Sequence, residues 1–164
     1  MPKNEKKDSD RFKIVATNRR AFSKYDFEEQ VEAGMVLTGP EVKSLRNGQA
    51  NLQDGFARIE NEQAFLMNVH IAPYSHGSLH VHQEPTRTRK LLLNRNEIKR
   101  WMGRTSVKGM TIIPIEIYFN KRGVAKVKLA LARGRRGPDR REEIKRRTVN
   151  REIQKEFSGR HRIK

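Results

Sequence analysis

The sequence predicts a mainly β fold: a small antiparallel β-barrel with about three short helices attached, followed by a disordered basic C-terminal tail. Three observations lead there. Several runs alternate apolar and polar residues or are dense in β-branched and aromatic side chains, among them FKIVA (12–16), FARIENEQAFLMNVHIA (56–72), MTIIPIEIYF (110–119) and VAKVKLALA (124–132). The breaks between them are short and rich in Asn, Gly and Pro, the length and chemistry of hairpin connections. Beyond Leu131 little is left to fill a core, because residues 133–164 carry thirteen basic and five acidic side chains. Such a segment cannot bury enough apolar surface to offset the entropy of ordering it. The expected organisation is a disordered N-terminus over 1–10, a barrel over 11–132 and a tail over 133–164.

Each element has its own signal. FKIVA reads as a strand start that Thr17-Asn18 closes. NRRAFSKYDF (18–27) mixes aromatic and basic side chains, and FEEQVEAGMVL (27–37) alternates loosely until Gly39-Pro40 breaks it. EVKSLRNG (41–48) reads as a short helix, with Pro40 in its first turn, Val42 and Leu45 three apart, and Gly48 as its stop. FARIENEQAFLMNVHIA reads as a hairpin turning at Glu60-Asn61-Glu62. PYSHGSLHVHQEPTRT (73–88) has the Gly, Ser and Pro of a loop. RKLLLNRNEIKRWMGR (89–104) shows helical spacing, with Leu91, Leu92, Ile98 and Trp101 on the buried face and Asn94 as N-cap. The last two strands join through Asn120-Lys121-Arg122-Gly123. Pro114 implies an edge or a bulge in the first of them. In the second, Ala125, Val127, Leu129 and Leu131 share the core face.

Composition narrows the function. The chain holds 36 Lys and Arg against 19 Asp and Glu, a formal charge of +17. Self-repulsion of that size suits a polyanionic partner, since each neutralised phosphate releases condensed counterions. No apolar run approaches the roughly 20 residues of a spanning helix, so no membrane partner is expected. The charged N-terminus lacks the apolar region of a secretory signal, and the absence of cysteine excludes disulfides and thiolate metal sites. A cytoplasmic nucleic-acid binder is expected.

Enzymatic patterns have weaker support. His80, His82 and Glu84 could form a metal set if extended, but they read more simply as an exposed loop or strand edge. Phosphate-binding and hydrolase motifs are missing; GRTSVKG only shares letters with a P-loop. Glu28, Glu29 and Glu32 read as a solvated edge paired with positive neighbours. No catalytic residue, metal or cofactor is expected. Binding has better support. Arg19, Arg20, Lys24 and Tyr25 offer cations and a ring that could hold phosphates and stack an unpaired base, or could be a plain core strand. Arg87 and Arg89, with Lys90 beside them, share a face if extended and could take phosphate oxygens. Lys43 and Arg46 share one face of their helix.

The segments NRRAFSKYDFEEQVEAG, GPEVKSLRNGQANL, EPTRTRKLLLN and GPDRREEIKRR strongly resemble the SmpB family, from about Asn18 into the tail. The resemblance implies a barrel related to the oligonucleotide-binding fold with three accessory helices. It implies binding to the tRNA-like domain of transfer-messenger RNA and rescue of ribosomes stalled on messages without a stop codon. The partners it implies are that RNA, the small-subunit decoding centre and message channel of the ribosome, and, through the RNA, elongation factor Tu and alanyl-tRNA synthetase. Asn18 looks like the family's RNA-contact asparagine, hydrogen-bonding the RNA or bracing its loop, and Glu32 like its functional glutamate, orienting an arginine or accepting from a base amine or 2′-hydroxyl. Leu92 looks like the position beside them, packing beneath the surface. In the tail, Asp139, Arg140 and Arg141 match an acid followed by two basic residues, while Pro138 stands where many relatives carry a ring. Arg135, Arg136, Lys145, Arg146, Arg147, Arg151 and Phe157 complete the expected ribosome-binding segment, helical once its phosphate partners neutralise it. Two rival readings remain: a general RNA chaperone or ribosome-associated protein with a basic extension, and an RNA-processing enzyme built on the histidine cluster.

Overall fold

The computed structural model describes residues 11–76, 82–135 and 140–160. They fall into two units, Met1–Gly134 and Arg135–Lys164. The first unit begins with strand β1 (Arg11–Thr17), the short helix α1 (Arg19–Lys24), the long strand β2 (Tyr25–Met35) and helix α2 (Gly39–Arg46). Five short strands follow: β3 (Ala50–Asn51), β4 (Phe56–Glu60), β5 (Gln63–Met67), β6 (His70–Ile71) and β7 (Arg89–Leu92). Helix α3 (Arg95–Thr105) and the long hairpin of β8 (Met110–Asn120) and β9 (Ala125–Gly134) complete it.

The sheet closes on itself. Its order is β1-β8-β4-β5-β7-β2-β9, and β9 pairs back onto β8, so six strands form a hydrogen-bonded ring with β1 added outside it. Strand β8 is long enough to serve three neighbours. Its first half meets β4 at Ala57↔Ile112, its second half meets β1 from Thr17↔Glu116 to Arg11↔Asn120, and β9 runs along its other edge. Pro114 sits where the β8–β9 ladder slips, between Pro114↔Leu129 and Glu116↔Lys128. That is the bulge its missing N–H requires.

Alternation decides what the ring encloses. Val31 and Ala33 of β2, Leu66 of β5, Leu91 of β7, Ile117 and Phe119 of β8, and Val127, Leu129 and Leu131 of β9 all lie in one buried cluster. Trp101 from α3 and Leu45 from α2 join it. Each of the valine, leucine, isoleucine and phenylalanine side chains among them contributes roughly 1.5–3 kcal/mol by leaving water. Local chemistry fixes the ends. Thr38 and Glu41 form a reciprocal capping box at the start of α2, and Gly48 takes the left-handed φ of +71° just past its end. The β4–β5 hairpin turns on Asn61 and Glu62, both left-handed, with φ of 50° and 58°.

Several expectations are corrected. Residues 89–104 are not one helical segment: Arg89–Leu92 is β7, wedged between β5 and β2, and the helix starts only after Asn94. Period two therefore governs there. Leu91 is buried, whereas Leu92 is 56% exposed and cannot pack beneath the surface. The run after β5 does not continue as one strand, because Asn68 turns left-handed (φ 56°) and β6 leaves the ring to pair with β3. The core also outlasts Leu131. Ala132 is fully buried against Ala21 and Ile113, in a second small cluster flanked by Tyr25, Phe27 and Phe56. The NRRAFSK stretch is helix α1, not strand. No helix among the described residues is long and apolar enough to cross a membrane.

The second unit contains helix α4 (Arg140–Arg160), described by itself. Its apolar residues Ile144, Val149 and Ile153 are all exposed.

Candidate nucleic-acid interface

The geometry starts at Asn18, which is 4% exposed. Its side-chain oxygen accepts from the Ala21 N–H at 3.2 Å, capping α1. Its amide donates to the carbonyls of Leu52 (3.2 Å) and Pro114 (3.1 Å). The bulge at Pro114 is what leaves that carbonyl available. Asn18 is thus a brace: it ties the start of α1 to the 51–55 turn and to β8, using every polar atom it has. Its own amide is spent inside the protein, and what it presents outward is the helix it caps.

On that helix Arg19, Arg20 and Lys24 are exposed, and Tyr25, half-buried, begins β2. Gln53, with its amide oxygen turned toward α1, accepts from Arg20 Nε at 3.0 Å and from Nη1. Arg20, Lys24, Tyr25, Gln53 and Phe56 border a cleft of about 350 Å³ that reaches Asn18. Phe22 is 51% exposed, edge-to-face on Phe27 with ring centroids 5.2 Å apart. NRRAFSKY is not a plain core strand; a six-residue helix instead sets cations and the Phe22 ring outward.

A second group lies on the outer face of the ring. Glu32 stands between Lys128, opposite it on β9, and the Tyr118 hydroxyl, which donates to its Oε2; Lys126 Nζ lies 3.8 Å from its Oε1. Leu92 projects from β7 over Gly34, where an added Cβ would lie 3.3 Å from the Leu92 Cβ. Exposed Lys90 extends from the same face of β7. On α2, Lys43 lies 5.3 Å above the Tyr74 ring, and Arg46 is exposed while its carbonyl accepts from Lys13.

Arg87 and Arg89 converge on one carboxylate, that of Glu41. Arg89 is fully buried: it donates to Glu41 (3.0 Å), to the Val69 carbonyl (2.7 Å) and to the Pro85 carbonyl (3.0 Å). Arg87 donates to both oxygens of the same carboxylate, at 3.0 and 2.9 Å. Burial alone would push the Glu41 carboxyl up, but hydrogen bonds from Arg87 and the Thr38 N–H, with the two guanidinium charges, hold it below its ordinary value. Glu41 holds Arg87 more firmly protonated, while desolvation works against Arg89. Arg89 is therefore withdrawn from the candidate contacts, and Arg87, partly exposed, serves the clamp first.

The acidic cluster is paired, and its stretch of β2 is laddered to β9 alone, because β7 meets β2 only at Gly34 and Met35. Glu28 and Glu29 straddle a bulge after Phe27 and bind Arg104 and Arg100, one helical turn apart on α3; Arg133 lies 3.7 Å from Glu28. His80 lies outside the described residues, and no cluster of three metal-ligating side chains occurs among those described. In the tail, Arg135, Lys145, Arg146, Arg147 and Arg151 are exposed; Arg140, Arg141 and Phe157 fall within α4; Arg136 and Asp139 lie outside the described residues. Gln53, Tyr118 and Lys126 escaped sequence reading, because only the folded register brings them to Arg20 and Glu32.

A closed β ring whose short helices and outer face carry guanidinium and ammonium groups defines a class, the small basic binding modules. Within it, the chain belongs to the SmpB family, whose model, described as SmpB protein, matches residues 15–159. It is 50% identical over 151 residues to the SsrA-binding protein of Moorella thermoacetica, covering 92% of this chain and 97% of that one. Against the SsrA-binding protein of Geobacillus kaustophilus it is 45% identical over 163 residues, covering 99% and 100%. A solved structure described as "tmRNA-SmpB: a journey to the center of the bacterial ribosome" superposes with a TM-score of 0.65 at 46% identity, over 83% of this chain and 94% of that one.

Proposed function

We propose that this protein is an adaptor that binds transfer-messenger RNA and takes part in trans-translation, the rescue of stalled ribosomes. The observation that carries the reading is the family match over residues 15–159, which spans the ring, its helices and α4 together. To this we add a division of labour between the two units. The ring unit holds the tRNA-like domain through Arg19, Arg20, Lys24, Tyr25, Lys43, Arg46 and Lys90, with Glu32 and Leu92 reading the RNA beside Gly34. Asn18 acts by holding α1 in place.

The 135–164 segment serves the ribosome. Its apolar residues Ile144, Val149 and Ile153 are exposed and do not share one face of α4, so the helix gains little from its own packing and is stabilised when channel phosphates neutralise Lys145, Arg146, Arg147, Arg151 and Lys155. Message RNA and tail cannot share the channel, so an ordered tail reports an empty one, with Asp139, Arg140 and Arg141 at the decoding centre. Elongation factor Tu and alanyl-tRNA synthetase act through the bound RNA, in the cytoplasm.

The test is competition binding at moderate salt. The full chain should prefer a transcript of the tRNA-like domain over bulk tRNA, and a chain ending at Gly134 should keep that preference while losing tagging on stalled ribosomes. Equal affinity for both RNAs would point to a general chaperone instead. Loss of RNA binding on truncation would overturn the division of labour.

A further inference from the structure

Tyr118 is buried, at 3% exposure, yet it is not part of the ring's interior. Its neighbours Ile117 and Phe119 face inward into the core cluster, so by alternation Tyr118 points to the outer face. There it lies in a lateral row with Ile14 of β1 on one side and Lys126 of β9 on the other; Gly34 of β2 stands opposite Lys126 and adds no side chain to that row. Adjacent strands lie about 4.8 Å apart, so β2 is about 10 Å from β8, a gap that a tyrosine and a glutamate close between them. They do: the hydroxyl of Tyr118 donates to Glu32 Oε2 across β9. The other oxygen, Oε1, faces Lys126 at the looser distance of 3.8 Å.

We infer that Tyr118 is a positioning residue that aims the Glu32 carboxylate at the RNA. The inference rests on the proposal that Glu32 accepts a hydrogen bond from that RNA. An unrestrained glutamate on an exposed strand face samples several rotamers, and a ligand must order it on binding. The hydroxyl removes that cost by fixing one oxygen, leaving the other for a hydroxyl or amino donor of the RNA. The aromatic ring is held by its burial, so phenylalanine keeps the volume and loses only the aim.

The test measures affinity of the full-length chain for a transcript of the tRNA-like domain in Y118F, E32Q and the double variant. Y118F should weaken binding by about three- to tenfold, and should do nothing further in the E32Q background, because the two act as one unit. The slope of log affinity against log salt should stay at the wild-type value, since no phosphate contact is lost. Thermal midpoints should match the wild type. Wild-type affinity in Y118F with weakened E32Q, or additive penalties, overturns the role of Tyr118 alone. Wild-type affinity in E32Q overturns the placing of Glu32 on the RNA, and the inference with it.

Discussion

Asn18 shows why a residue can matter to a binding surface without touching the ligand. One small amide caps α1, holds the Leu52 carbonyl and fills the gap that the Pro114 bulge opens. Asn18→Asp tests this directly, because it keeps the capping oxygen and replaces the donating amide with a second acceptor facing two carbonyls. A buried polar group set against like partners costs about 2–4 kcal/mol. Chemical denaturation should register that loss, and RNA affinity should fall further than stability alone explains, since Arg19 and Arg20 lose their platform. An Asn18→Asp variant with wild-type stability would show the brace to be dispensable. Sequence reading leaves Asn18 either bonding the RNA or bracing its loop, and it puts Arg89 at the phosphates. It could see amide and guanidinium groups in a basic stretch, but not that Glu41, 48 positions before Arg89, would claim that side chain.

At the scale of elements, the carboxylate of Glu41 joins α2 to β7 and, through Arg89, to the carbonyls of Val69 and Pro85. Its folded pKa lies below the ordinary 4.5. The stabilisation it supplies is therefore fully present above 4.5 and is lost as pH falls through the lower folded value. Urea midpoints measured from neutral pH downward should decline through that window, and the decline attributable to Glu41 should vanish in E41Q, which is less stable at neutral pH. A parallel decline in both proteins would remove Glu41 as the source. Helix α2 itself was legible, because Pro40, Val42, Leu45 and Gly48 mark its start, face and end within ten residues. Strand β7 was not. Four residues leading straight into a helix show too little periodicity to separate period two from 3.6, and only pairing with β5 and β2 decides it. The Phe27–Glu29 bulge was equally hidden, although it is what lets two consecutive glutamates reach Arg100 and Arg104.

At the scale of the whole molecule, charge and connectivity carry separate meanings. The density of cations after Ala132 was plain in the sequence. The mainly β class and the β8–β9 hairpin were plain too, since Gly123 and the alternation of Ala125 to Leu131 fix turn and face together. A closed sheet was expected from the class of fold, but the pairings that close it were not legible. Closure depends on β9 finding both β2 and β8, a long-range choice that local pattern does not record. That closure governs how the protein comes apart. Each of the six ring strands has a neighbour on both edges, so none can peel away without breaking two ladders at once, whereas β1 is held along one edge only. Amide deuterium uptake should therefore separate into an early class from β1 and a late class in which β2, β8 and β9 open as one, with little fraying between them. The closed part of the sheet should in this way persist as one body or give way as one, whatever happens at its margin.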